Sequence, residues 1–337
     1  MTDGVPHSRL WREAERSTFE ATVLTAAEQL GVQPLAVEKD YWVCEALRAI
    51  VHAYPGEVVF KGGTSLEKLR IVQRFSEDLD LLVVGDYPSN RAAERALRSM
   101  IQVAAAATGG DATDVMSGGR PGGLHRRGYL APPFSHSAPP GAIADVGAVL
   151  LELGQSGGPN PSSVRVVTSL IGRQLVAAGF DVGEWDDLVS FEVSILHPAR
   201  TLIEKLFRVN NFAAVPEGHG DTHGWPRIGR QFYDIWALLG HDEVLDLLAD
   251  RETTAEIVAS CFKVSQAFTP DLPVPDGGFA RSAAFDPDGP LTPRLRVEHD
   301  AAMRDLYYGR DLPPTFDDVL ARVEQHARSL DIGGERE

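Results

Sequence analysis

Apolar positions recur at helical spacing in some segments of the chain and at strand spacing in others. Residues 17–30 set Phe19, Val23, Leu24, Ala27 and Leu30 along one stripe, the mark of an amphipathic helix. After Gly31 and Pro34 a second helix is expected over 35–53, stopped by Tyr54, Pro55 and Gly56. The β-branched run 57–60 reads as a strand ending at Lys61, Gly62 and Gly63. Residues 64–73 then read as a helix and 78–84 as a strand closed by Gly85 and Asp86. The Ala/Arg-rich stretch 91–107 has no breaker and predicts a helix. Glycine is dense over 109–123, which predicts a loop. Strands are expected near 127–130 and 146–153, a Gly/Pro/Ser loop over 154–163, strands over 164–168 and 190–196, and a helix over 169–178.

From Pro198 onward the period stays helical. Helices are expected over 198–210, 230–240, 243–250, 253–268, 294–308 and 315–330, with a Pro/Asp/Gly-rich loop over 269–293. No internal repeat or sustained heptad interrupts this order. The layout predicts a mixed α+β chain in two lobes, an N-terminal lobe with a mixed sheet over 1–196 and a helical lobe over 197–337.

Composition narrows the class. The chain has 337 residues, of which 43% are hydrophobic, enough for a real core and against wholesale disorder. Apolar stretches such as 143–153 fall far short of the roughly 20 residues of a membrane span. The polar N-terminus lacks the apolar stretch of a signal peptide, so a soluble, cytoplasmic protein without membrane association is expected. Two cysteines, Cys44 and Cys261, are too few for a disulfide framework and too far apart for a local metal clip. The net charge of -16 argues against a protein that coats nucleic acid non-specifically, yet leaves room for a local basic cleft. Only five of the 32 basic residues are lysines, so each lysine warrants its own question.

The chemistry concentrates between Lys61 and Leu82. A strand ends in Gly62 and Gly63, Thr64 and Ser65 stand where a helix begins, and the chain returns as a strand bearing Asp78, Leu79 and Asp80. Paired glycines allow close backbone approach to a phosphate. Thr64 or Ser65 is expected to cap the helix, whose first N–H groups attract an anion. Asp78 and Asp80, at i and i+2 of a strand, project from one face. Two such carboxylates repel unless a divalent cation lies between them, and beside a triphosphate that cation is Mg²⁺. Asp-x-Asp alone is an ordinary solvent-facing pair; the preceding Gly-Gly-Thr-Ser in strand–turn–helix–strand order makes it a candidate for phosphoryl or nucleotidyl transfer. No Gly-Lys-Ser/Thr ending makes it a Walker loop.

Gly62-Gly63-Thr64-Ser65 followed by Asp78-x-Asp80 resembles the signature of the DNA polymerase β-like nucleotidyltransferase superfamily. Three further blocks narrow the resemblance: Glu38-Lys39-Asp40-Tyr41-Trp42-Val43, the run from His197 and Pro198 through Arg200, Thr201, Leu202, Glu204, Lys205 and Leu206, and Arg230 with Tyr233-Asp234-Ile235. Together they look like the AbiEii family, nucleotidyltransferase toxins of type IV toxin–antitoxin and abortive-infection (antiviral defence) systems that include the MenT toxins. The resemblance implies a bilobed fold, Mg²⁺ (or Mn²⁺) as cofactor, an NTP substrate and a cognate antitoxin encoded nearby. In the MenT branch it implies transfer of pyrimidine nucleotides to the 3′ acceptor end of tRNA, blocking aminoacylation. The segments 108–123 and 269–293 have no placed counterpart.

The resemblance also assigns supporting residues. A third metal carboxylate is expected from a neighbouring strand; Glu152, alone in an apolar run, is the candidate, or else an edge residue facing water, with Asp145 as a lesser alternative. Lys205 would neutralise the triphosphate or leaving pyrophosphate. Asp234 matches an essential aspartate and either orients Lys205 or contacts the nucleotide; the bland alternative pairs it with Arg230. Ser76 resembles a serine that some antitoxin kinases phosphorylate, or is simply a turn serine. Lys39 and Asp40 either contact nucleotide or form a structural ion pair beside core aromatics. Lys68, Arg70, Arg74, Arg200, Arg208, Arg227 and Arg230 are candidates for tRNA contact, and His125, Arg126 and Arg127 for a mobile phosphate clamp. Competing functions are nucleotidylation of a protein or small molecule, and nucleotide binding without transfer.

Overall fold

The computed structural model describes residues 9–120, 123–138, 145–215, 224–267 and 269–332. In chain order these form α1 (Trp11–Ala14), α2 (Arg16–Leu30), α3 (Pro34–Ala53), β1 (Val58–Lys61), α4 (Gly62–Lys68), β2 (Asp78–Val83) and α5 (Asn90–Thr108). Then follow β3 (Asp111–Arg120), β4 (Gly123–Ala131), β5 (Val149–Gly154), β6 (Ser162–Val167), α6 (Leu170–Ala177) and β7 (Phe191–Leu196). The rest is helical: α7 (Pro198–Ala214), α8 (Trp225–Leu238), α9 (Asp242–Ala249), α10 (Arg251–Gln266), α11 (Thr292–Leu306) and α12 (Phe316–Gln325). The first eight residues, read above as lacking a leader, lie outside the described ones.

Seven strands among the described residues make one mixed sheet in the order β3-β4-β5-β2-β1-β7-β6. β2 lies antiparallel to β1 and parallel to β5, and β1 runs parallel to β7. Alternation fixes the two faces. Leu79, Leu81 and Val83 of β2 and Val149, Leu151 and Leu153 of β5 enter a core with Leu47 and Ile50 of α3 and Leu97, Met100 and Ile101 of α5. The intervening residues Asp78, Asp80 and Glu152 therefore face the other side. A second core joins α7, α8, α10, α11 and α12 and takes in Leu66 of α4 and Val72. The loop carrying the glycine turn is thus held from the helical side as well as from the sheet.

Two expectations are corrected here. The glycine-dense stretch 109–123, expected as a loop, contains a strand: Asp111 to Ser117 pair residue by residue with Ala131 to His125 of β4. These seven paired residues carry no glycine, and a partner strand that satisfies each of their backbone groups outweighs the breaker signal of the glycines on either side. The helix expected over 64–73 is shorter, because it starts at Gly62 and ends at Lys68. Its cap is Lys61, with no side-chain cap bond, so Thr64 and Ser65 sit inside the first turns rather than before them.

Candidate active site

β2 places Asp78 and Asp80 on the open face of the sheet, and the parallel register sets Glu152 of β5 directly beside Asp80. Lys61 of β1 is opposite Asp80 on the other side. Asp78 is buried, while Asp80 and Glu152 keep part of their surface. Asp80 is pushed up to about 8, first by burial, then by the charges of Glu152 and Asp78, with a hydrogen bond to Glu152 adding to the effect. Burial also works against the Glu152 carboxylate, but Arg127, whose Nε donates to its Oε1 at 2.5 Å, and the bond with Asp80 hold it below its usual range. One proton shared within this pair is the state these neighbours favour near neutral pH. Asp145 is not part of it: its carboxylate accepts from Gly147 N in a turn before β5.

Gly62 explains the turn. Its φ is +81°, and a Cβ there would overlap Asp80 Oδ2, so a side chain would exclude the carboxylate from its place. At Gly63 a Cβ would come within 2.5 Å of Arg74 Nη2 and 3.1 Å of Ser76 Oγ. Thr64 Oγ1 donates to Asp78 O at 2.5 Å and Ser65 Oγ to Gly62 O at 2.9 Å. Both hydroxyls are therefore committed, Thr64 to tying the turn to β2 and Ser65 to closing the turn on itself. Ser76 is buried next to Gly63.

Behind the turn lies a buried charged group that sequence spacing only partly announced. Asp234 of α8 is fully buried and receives Nε and Nη2 of Arg74, each at 2.6 Å. Lys205 of α7 approaches Asp234 Oδ2 at 2.8 Å and donates to Gln231 Oε1 at 2.8 Å. Burial works to raise Asp234, but Arg74 and then Lys205 outweigh it and hold the carboxylate below its usual range. Burial, opposed by Asp234 and joined by Arg74, lowers the Lys205 ammonium from its ordinary value. Asp234 thus contacts Lys205, not Arg230, and has no surface to offer a nucleotide.

Arg230 turns instead to Asp78, with Nη2 3.4 Å from Oδ2, and Arg227 Nη1 stands 3.8 Å from the same oxygen. Arg208 is exposed; its charge is disfavoured first by desolvation, then by Arg230 and Arg227, and favoured by Asp80 and Glu152. Three arginines from α7 and α8 therefore oppose three carboxylates from β2 and β5.

Other expected contacts fall elsewhere. Lys68 is buried against Asp40 and Glu67, Arg74 against Asp234, and Arg200 binds Asn160 O and Ser260 Oγ, so none of the three is placed for RNA. Lys39 pairs with Glu77 at 2.8 Å, and Tyr41 and Trp42 are core residues, which makes that block structural. His125, Arg126 and Arg127 lie in β4 rather than a mobile loop. Arg126 is buried in a two-bond pair with Asp114, because alternate strand positions point to opposite faces. Arg74 was missed as the partner of Asp234; a lone arginine before Phe75 and Ser76 carries no sequence signal for a buried pair.

Among the described residues no three His, Cys, Asp or Glu side chains form a ready-made cation cage. The donor chemistry of Asp78, Asp80 and Glu152 fits a hard divalent ion all the same. They are carboxylate oxygens only, and burial together with the charges of Glu152 and Asp78, which a cation would offset, keeps a proton on Asp80.

Carboxylates on adjacent parallel strands, a glycine turn packed against one of them and a facing set of arginines make up the candidate site. The family described as "Nucleotidyl transferase AbiEii toxin, Type IV TA system" matches residues 45–322, and the chain belongs to that family. No curated protein matches the sequence at a significant level.

Proposed function

We propose that this chain is a toxin that transfers a nucleoside monophosphate from an NTP, a pyrimidine nucleotide by the MenT resemblance, to the 3′ end of tRNA. The observation that carries this reading is the trio Asp78, Asp80 and Glu152 facing Arg208, Arg227 and Arg230 across the Gly62 turn. The 3′-hydroxyl gives its proton to water, its oxygen forms a bond to the α-phosphorus, the bond from that phosphorus to the α–β bridging oxygen breaks, and pyrophosphate leaves. Asp78, Asp80 and Glu152 would hold Mg²⁺ (or Mn²⁺), which when bound supplies Lewis-acid charge and makes the hydroxyl acidic at neutral pH. The arginines neutralise the triphosphate, and Lys205, kept in place by Asp234, adds positive charge behind the turn. The first-turn N–H groups at Gly62 and Gly63 are suited to phosphate oxygens, since the Thr64 and Ser65 hydroxyls are engaged. The two cores correspond in this reading to lobes 1–196 and 197–337, with a cytoplasmic setting and an antitoxin as the family's partner.

A net charge of -16 favours a second acceptor class, a protein side chain or small molecule. Incubation with each labelled NTP, Mg²⁺ and total tRNA separates the two. Label on tRNA is expected; label only on protein or small molecules would transfer the reading to the second class, and binding without transfer would make the chain a sensor. Asp80→Ala is expected to abolish both label and growth arrest, and undiminished toxicity in that variant would contradict the enzymatic reading.

A further inference from the structure

The open face of the sheet continues past the carboxylates on both sides. Toward β6 and β7 it offers Val164 and Val166, 63% and 60% exposed, beside exposed Glu192. Toward β4 and β3 the row through Asp80 and Glu152 continues to Arg127, whose side chain is 41% exposed, and then to exposed Val115. The adjacent row runs from Asp78 through Leu150 to Tyr129 and exposed Thr113. Tyr129 is half-buried, and the intervening positions Arg126, Gly128 and Leu130 are buried on the opposite face. Gly128 lies so close to Ile101 of α5 that a Cβ would come within 2.8 Å of it. The strand is thereby fixed with Tyr129 turned to the open face.

We infer that this flank, Tyr129 and Arg127 of β4 with Val115 and Thr113 of β3, is the platform on which a single-stranded RNA end lies as its 3′-hydroxyl reaches Asp80 and Glu152. The inference rests on the transfer reading above and names its acceptor subsite. A single strand with unpaired bases needs an aromatic or apolar surface for base faces and a cation for the backbone. Only one of the two open flanks carries both; the other carries valines and a carboxylate, which would repel phosphate. The flank is one strand away from the catalytic carboxylates, so an end lying across it enters the site without crossing the buried Arg74 group. Arg127 joins the two functions, since its guanidinium already contacts Glu152 at the boundary of the platform.

The test uses the full chain and two readouts, affinity for a fluorescent single-stranded RNA hexamer with a free 3′-hydroxyl, and KM for tRNA and for NTP separately. Tyr129→Ala and Val115→Glu are expected to weaken hexamer binding and raise KM for tRNA about tenfold or more, the size of one lost base stack, with KM for NTP unchanged. Tyr129→Phe should restore both, because the ring face and not the hydroxyl does the stacking. Val164→Glu on the other flank should leave both unchanged. Wild-type RNA affinity in Tyr129→Ala and Val115→Glu, with tRNA still labelled, would overturn the platform while the transfer reading stood. Loss of hexamer binding in those variants without any label on wild-type RNA reactions would support the platform and overturn the transfer reading. A wild-type chain that does not bind the hexamer would overturn the platform outright.

Discussion

At the scale of single residues, Gly62 and Asp80 constrain one another. The left-handed backbone at Gly62 and the carboxylate filling the space of its absent Cβ mean that Gly62→Ala strains the turn and displaces Asp80 together. A stability loss of about 1–3 kcal/mol is expected, read as a lower denaturation midpoint, together with near-complete loss of transfer. Asp80 also gives the metal-free protein a distinctive pH response. Its folded value near 8 lies above the roughly 3.9 of an unfolded aspartate, so the native state keeps a proton that the unfolded chain has lost. That contribution is fully present below the unfolded value and is lost as pH rises through the folded one. Thermal unfolding in EDTA should therefore show stability falling between about pH 5 and pH 8, with a flatter curve for Asp80→Asn. A curve for Asp80→Asn parallel to wild type would show that Asp80 ionises normally. Asp78, Asp80 and Gly62 were legible in the sequence because each signal is local, a strand alternation or a residue without a side chain. Glu152 was legible only as an acid in an apolar run; its place beside Asp80 is a matter of register between residues 72 apart in the chain, which no local pattern encodes.

At the scale of elements, the helices α7 and α8 and the turn before β2 are joined by Arg74, Asp234 and Lys205. Removing Arg74 leaves Asp234 to Lys205 alone and takes the donor from its buried Oδ1, a loss of about 1–3 kcal/mol. Arg74→Met should therefore destabilise the fold more than Arg230→Met, whose head group faces only a partly screened Asp78. Chemical denaturation of both variants checks the order. Helix existence was read well from periodicity, whereas the β3–β4 hairpin was not. Glycine density suggested a loop, yet the glycine-free run Asp111–Ser117 is laddered to β4, and β4 itself is held close to α5 by Gly128 on Ile101, where a larger residue would separate the two. Gly128→Val should overpack that contact and cost about 1–3 kcal/mol, measured as a shift in midpoint at constant denaturant slope.

At the scale of the whole molecule, charge and burial set how the protein meets its surroundings. The body is strongly acidic, so few cations are available to RNA phosphates. Arg127, Arg208 and Arg227 line the open side, and three neutralised phosphates on a single strand give a salt slope of about -2 in a log–log plot. A slope of about -5 or steeper would mean that RNA lies on a different surface. The two cysteines are buried, and burial pushes both thiols up to about 12, so a thiol reagent should react with neither until the chain is unfolded. The sequence by itself determined the succession of helices and strands, the glycine turn, the Asp-x-Asp strand and the family-specific blocks, because these depend on neighbours within a few residues. Tertiary structure alone decided which acid joins Asp80, which cations are buried and which face the carboxylates, and that residues 111–117 between glycines form a strand. Those outcomes depend on strand register, desolvation and the match of a buried charge to a distant partner, and these exist only once the chain has packed.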